Sequence, residues 1–226
     1  NQGPSPRRGD IRNVASPIPP RGAAPDDALR PVYDTVYKHD RHVVTLVGNH
    51  DKQSSDDDDH ALASMKRNFA DHFHVVDKPT LMHIGIDGLD AELLNIPYQE
   101  GDAREWLPEA IRELHDSGGM EVRSARNKQA PRALCIHLGI YSEKYSAFLG
   151  GRQARDAVPV SLLAQLMDEY KCDACFAGNW HSRKTFKTKS GKPIVQVGSL
   201  CPTGWSDKGL TGHGMTLWHP SENRVE

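Results

Sequence analysis

The chain has 226 residues, of which 37% are hydrophobic and 26% charged, and a formal net charge of −2. That length carries one sizeable domain, or one domain plus a small appendage, and that charge excludes a global basic field for holding nucleic acid, leaving only local patches for the purpose. No apolar run is long enough to cross a membrane and no secretory signal is visible, so the chain reads as soluble and cytoplasmic with its four cysteines reduced.

The segment 1–8, Asn1-Gln2-Gly3-Pro4-Ser5-Pro6-Arg7-Arg8, is irregular, with no start Met and no hydrophobic strand, and reads as the edge of a fragment or of a deletion. One domain is expected over 9–226. Gly9-Asp10 opens it, a Pro-rich loop fills 14–25, and helical spacing over 28–39 puts Leu29, Val32, Val36 and Tyr37 on one face. Residues 43–47, Val-Val-Thr-Leu-Val, read as a buried strand that runs into Gly48-Asn49-His50-Asp51. Loops at the carboxyl ends of such strands are where α/β proteins place their chemistry. Asn49 offers an amide oxygen to a metal, His50 a proton or a hydrogen bond to a phosphate oxygen. Gly48 permits a sharp turn, and Asp51 is expected to hold His50 in one tautomer. The acidic run Asp56-Asp57-Asp58-Asp59 reads as a solvated loop, followed by a helix over 61–72 with Leu62, Met65 and Phe69 on one face. Short strands are expected at 74–76 and 81–84, and a longer one at 91–98.

A helix over 102–116 presents Trp106, Leu107, Ile111 and Leu114 and ends at Gly118-Gly119. Residues 121–131 read as a charged loop or hairpin tip, and 133–139 as a strand with His137 near its end. Residues 140–159 read as a long polar loop and 160–170 as a helix. A strand at 174–177 leads into Gly178-Asn179-Trp180-His181. Cys172 and Cys175 form a C-x-x-C with no second pair, which fits a buried strand better than a zinc site. Strands at 185–187 and 194–200 form a hairpin about Ser190-Gly191-Lys192-Pro193, and 215–219 is a final strand. Arg183, Lys184, Lys187, Lys189 and Lys192 cluster beside His181, either as a solvated basic hairpin or as a contact for a nucleic-acid backbone.

The ordered set Gly9-Asp10, Gly48-Asn49-His50-Asp51, a strand ending at His137, and Gly178-x-x-His181 resembles the calcineurin-like metallophosphoesterases. The resemblance implies an α/β (four-layer α+β) fold, a β-sandwich flanked by helices. No Asp-x-His precedes Asp10, so the first βα unit of the family is expected to be missing. The family implies two divalent metals, with Mn²⁺ preferred and Fe²⁺, Zn²⁺ or Mg²⁺ as alternatives. Asp10 would bridge them, Asn49, His137 and Asn179 would hold the second, and His181 would complete the first. Asn179 stands where the superfamily has the first His of Gly-His-x-His, and its oxygen is a harder, weaker donor. Catalysis would run through a metal-activated hydroxide, with His50 stabilising the transition state or protonating the leaving oxygen and Asp51 orienting it. Gly178-Asn179-Trp180-His181 before Ser182-Arg183-Lys184, together with Gly198-Ser199, is similar to the SbcD-type DNA-repair exonucleases of phages and bacteria. That likeness implies DNA as substrate, contacted by Arg183 and Lys184, and an SbcC-like ATPase as partner. The alternatives are a phosphomonoesterase or small-molecule phosphodiesterase, and a catalytically degraded binding module on the same fold.

Overall fold

A computed structural model describes residues 25–52, 59–86, 89–119, 130–144, 151–202 and 212–226. Asp10 and most of the 56–59 acidic run lie outside them.

The first layer is a two-stranded parallel sheet with two helices. Helix α1 (Pro25–Lys38) precedes β1 (Val43–Leu46); α2 (Ala63–Asn68) precedes β2 (Phe73–Val76). The strands pair with Val43 opposite Phe73 and Leu46 opposite Val76. Val47, Leu62, Met65, Phe69, Phe73 and Val75 form a small core under the helices, against which Tyr33 of α1 packs, its ring 4.4 Å from that of Phe69. Helix α2 stops well short of residue 72, because Phe69 and Phe73 turn into this core and the chain must reverse into β2.

The second layer is a six-stranded sheet. Its members are β3 (Thr80–Ile86), β4 (Leu89–Ile96), β5 (Arg132–Ile136), β8 (Ala174–Ala177), β9 (Lys184–Lys187) and β10 (Pro193–Gln196), in the order β3-β4-β5-β8-β10-β9. The four inner strands are parallel, and an antiparallel strand closes each edge. Parallel neighbours need crossovers. Helix α3 (Ala103–Leu114) supplies one between β4 and β5, burying Ala103, Leu107, Ala110 and Ile111. Its N-terminus is capped by Asp102, whose carboxylate accepts the Arg104 N–H at 3.0 Å. The main core joins these residues to Leu94, Ile96, Leu134 and Ile194 from the sheet. Cys172 and Cys175 are buried there, and burial pushes the Cys175 thiol up.

The segment 140–159 departs from the expected polar loop. It contains β6 (Gly139–Tyr141), a short helix α4 (Gly151–Arg155) and β7 (Ala157–Pro159), and the two strands pair in parallel with Ile140 opposite Val158. Both of those side chains are fully buried. Two apolar residues on either side of a polar stretch leave no periodic signature, and only their pairing reveals them as strands. Helix α5 (Val160–Glu169) follows, with Leu163, Leu166 and Met167 inward. At the C-terminus only Trp218–His219 (β11) is extended, pairing with Arg224–Val225 (β12), so the expected strand at 215–219 is shorter and forms its own small hairpin. Among the described residues no helix is long and apolar enough to cross a membrane.

Candidate active site at the strand ends

Strands β1, β5 and β8 all deliver their last residues to one place. His137, immediately after β5, puts Nε2 3.2 Å from Oδ1 of Asn49, 88 residues earlier in the chain. The imidazole lies between two glycines. A Cβ on Gly48 would stand 2.7 Å from its ring, and one on Gly178 would stand 3.1 Å from Nδ1. Gly48 is not among the residues with positive φ. The tight turn expected from sequence does begin at Gly48, whose carbonyl accepts the Asp51 N–H, but it needs no left-handed glycine; what requires glycine here is clearance for His137. Burial, with the charge of His50 second, lowers the His137 pKa to about 4, so the ring is neutral at pH 7 and keeps a lone pair.

Asp51 is buried, and its carboxylate accepts the Gly48 N–H at 2.8 Å. The Asp51 N–H returns to the Gly48 carbonyl at 3.1 Å, closing the 48–51 loop on itself. Burial raises the Asp51 pKa, opposed by the Gly48 N–H and by the charges of His60 and His50. The carboxylate's hydrogen bond is therefore to the loop backbone, and its influence on His50 is electrostatic. His50 itself is exposed beside Asn49.

The loop after β8 forms the opposite wall. Asn179 has φ +76°, a left-handed conformation that asparagine tolerates, and its buried Nδ2 has no hydrogen-bond partner among the described residues. His181 is exposed two residues on, its carbonyl taking the Ser199 N–H at 3.0 Å. Arg183 and Lys184 are exposed, and the Lys184 ammonium lies 5.9 Å from the centre of the Trp180 ring. Lys192 instead faces Asp168 at 3.4 Å. Gly198 has φ +75°, and a Cβ there would press on the His181 carbonyl and the Arg183 N–H at 2.9 Å each. An apolar groove of about 520 Å³ runs between β1 and the β5–β8 ends and reaches His137.

Gln196 was not visible as a site residue. It is fully buried in β10; its Oε1 accepts the Ile140 N–H at 2.8 Å, and its Nε2 donates to the carbonyls of Ala177, at 3.2 Å, and Gly178. One side chain thereby ties β6 and the Asn179 loop to the sheet. The signal was an amide in the otherwise apolar run Ile194-Val195-Gln196-Val197.

The residues fit a dication at Asn49 and His137. Ligand atoms bound at 2.0–2.2 Å around one ion sit roughly 3.0–3.5 Å apart, and Asn49 Oδ1 and His137 Nε2 are 3.2 Å apart. The neutral imidazole suits the same role, and the orphaned Asn179 amide would present its oxygen to a cation on turning over. Asp10 lies outside the described residues, so the bridging role expected of it has no geometry here.

The calcineurin-like phosphoesterase family model matches residues 9–183. No curated protein matches the chain significantly. Among solved structures, TT1561 of Thermus thermophilus is similar at TM-score 0.50 and 10% identity, covering 92% of this chain and 80% of that one. A proposed 5'-nucleotidase of Staphylococcus aureus, in complex with alpha-ketoglutarate, aligns at TM-score 0.46 and 12% identity over 75% of this chain and 34% of its own. At 10% identity the first of these speaks for the fold alone, a mixed α/β architecture with a central sheet flanked by helices. With the match extending over most of its length and through the Asn49 and His137 motifs, the chain belongs to the calcineurin-like phosphoesterases, a family of metal-dependent phosphoester hydrolases.

Proposed function

We propose that this phosphoesterase is a phosphodiesterase acting on nucleic acid, with DNA as the substrate of choice. The observation that carries the reading is the exposed basic edge at Arg183, Lys184, Lys187 and Lys189, which continues directly from the Asn179–His181 loop. A polyanion whose scissile phosphate lay at Asn49 and His137 would find those cations along its backbone. A divalent cation at Asn49 and His137, Mn²⁺ by preference, would supply Lewis-acid activation of the phosphoryl group and of a water. The chain's own groups do the rest. His50, exposed and next to Asn49, donates a proton to the leaving oxygen; Asp51 holds the loop that presents it; Trp180 and Lys184 support the substrate's path. An SbcC-type ATPase partner belongs to the same reading.

The test is cleavage of labelled single- and double-stranded DNA with Mn²⁺, beside para-nitrophenyl phosphate and its bis-ester. DNA and bis-ester cleavage that falls at least a hundredfold in His50→Ala is expected. Arg183→Ala/Lys184→Ala should raise KM for DNA several-fold and flatten its salt dependence while leaving the bis-ester unchanged. Monoester turnover without DNA cleavage would replace this reading with a phosphomonoesterase, and silence on every substrate would favour a binding module.

A further inference from the structure

A cluster at the other end of β1 takes no part in this chemistry. Asp40, His42 and His72 each offer a ligand atom, and these atoms all lie within 4.8 Å of one another. The fold builds the cluster before any ion is present. In the parallel ladder Val43 stands opposite Phe73, so the residues one place earlier, His42 and His72, are neighbours, and the Val43 N–H to His72 carbonyl bond at 2.8 Å fixes them. Asp40 is brought in by the turn that ends α1, where it has φ +48° and its N–H bonds the Tyr37 carbonyl at 3.1 Å.

The rings are also oriented. His72 Nδ1 is 2.9 Å from the Arg41 carbonyl. A carbonyl only accepts, so Nδ1 carries the proton and Nε2 the lone pair. This is the arrangement in which metal-binding histidines are commonly held. His42 stacks between His72 and His74, with ring centres 5.0 and 5.2 Å away, and its Nδ1 lies 3.0 Å from His74 Nε2. A Nδ1–H donated to His74 leaves His42 Nε2 as its ligand atom. Two imidazoles and one carboxylate, with an open position for water, are the ligand set that zinc takes in many sites.

We propose that Asp40, His42 and His72 form a metal site for one imidazole-seeking dication of the Zn²⁺ type, with His74 as the residue that positions His42. Residues 42 and 48 are six strand positions apart, about 20 Å, so this site is separate from Asn49 and His137. Bringing the ligand atoms from their present spread to the roughly 3.4 Å of a tetrahedral zinc shell needs only small rotations of the exposed Asp40 and His42 and the half-buried His72. The bound ion would clip the end of α1 to both strands of the small sheet, including the strand that presents Asn49.

The whole chain is titrated with Zn²⁺ alone, following the histidine ring signals by NMR and the stoichiometry by calorimetry. In the parent and in His137→Ala, the His42 and His72 signals should move together within the first equivalents. His42→Ala/His72→Ala should take up one equivalent fewer. Asp40→Asn, a change at an exposed turn that leaves the ring stack untouched, should bind this equivalent at least tenfold more weakly. His74→Phe, which keeps the stack and loses the nitrogen, should weaken it about tenfold. Equal Zn²⁺ uptake by the parent and by both the double variant and Asp40→Asn overturns the proposal, as does a parent whose His42 and His72 signals stay still while His137 shifts.

Discussion

At the residue scale, the site depends on two side chains that are absent. Gly48 and Gly178 leave the space into which the His137 ring fits, and Gly139 does the same for the Trp180 indole. Gly48→Ala places a methyl group 2.7 Å from the imidazole. The ring must shift away from Asn49, at a cost of about 1–3 kcal/mol in strain, and bis-ester turnover should fall at least tenfold while the far-ultraviolet circular dichroism stays that of the parent. Gly198→Ala is expected to be worse for stability. It sets a Cβ against backbone at 2.9 Å and imposes φ +75° on a residue that resists it, so thermal unfolding should drop by several degrees. Gly48 and Asn49 stood out in the sequence because they lie in a short, recognisable string. Gly139 did not, because the ring it accommodates is 41 residues away in a different loop.

At the element scale, buried polar side chains hold the loops to the sheets. Gln196→Met keeps the volume and removes both ends of the amide bridge, leaving the Ile140 N–H and the Gly178 carbonyl without their partner. An expected loss of about 1–3 kcal/mol follows from those unmet groups, and the Asn179 loop should become more open to hydrogen exchange. A second device lies under α2. His60 accepts the Leu62 N–H on Nδ1 at 3.2 Å, which leaves Nε2–H to face Asp77 at 3.3 Å, while Lys66 donates to the same carboxylate oxygen. Burial alone would raise the Asp77 pKa, but the bonds from Lys66 and His60 outweigh it and hold the carboxyl below its usual range. A carboxyl depressed in the folded state stabilises the fold above its unfolded pKa and loses that contribution as pH falls through the folded one. The parent should therefore lose stability only below about pH 4 on this account. Lys66→Met, by raising the Asp77 pKa, should reduce the advantage at neutral pH by less than about 1 kcal/mol, the ammonium being half exposed. Urea midpoints measured between pH 2 and 7 would show both effects.

At the scale of the whole molecule, an ion pair fastens the sheet at the end away from the site. Glu92 and Arg132 are opposite one another on β4 and β5, and both are buried. The guanidinium donates Nε to Glu92 at 2.9 Å and another nitrogen to the Tyr170 carbonyl at 2.8 Å, while the Arg132 N–H reaches Asp173 at 2.8 Å. One residue thus joins two strands to the segment after α5. Glu92→Gln removes the carboxylate charge that faces this buried cation and should cost about 3–5 kcal/mol, whereas Glu92→Leu/Arg132→Met should recover much of that loss. Chemical denaturation of the two variants would separate the penalty of breaking the pair from any net value of the pair.

The sequence by itself determined the local elements and the order of the motifs. Helices α1, α3 and α5 are legible because each hides one face from water, and burial imposes a period that can be read residue by residue, while strand β1 is legible as an unbroken apolar and β-branched run. The motifs at Asn49, His137 and Asn179 are legible because short strings of polar residues stand directly after apolar strands. Only the tertiary structure decided which of them meet. Contact between Asn49 and His137 depends on β1 and β5 ending at the same edge of two different sheets. The β6–β7 pair, the Gln196 bridge, the Glu92–Arg132 pair and the histidine stack at 42, 72 and 74 are likewise made by residues far apart in the chain. Each involves one or two side chains whose partners are fixed by strand register and loop closure, and neither quantity has a local periodicity from which it could be read.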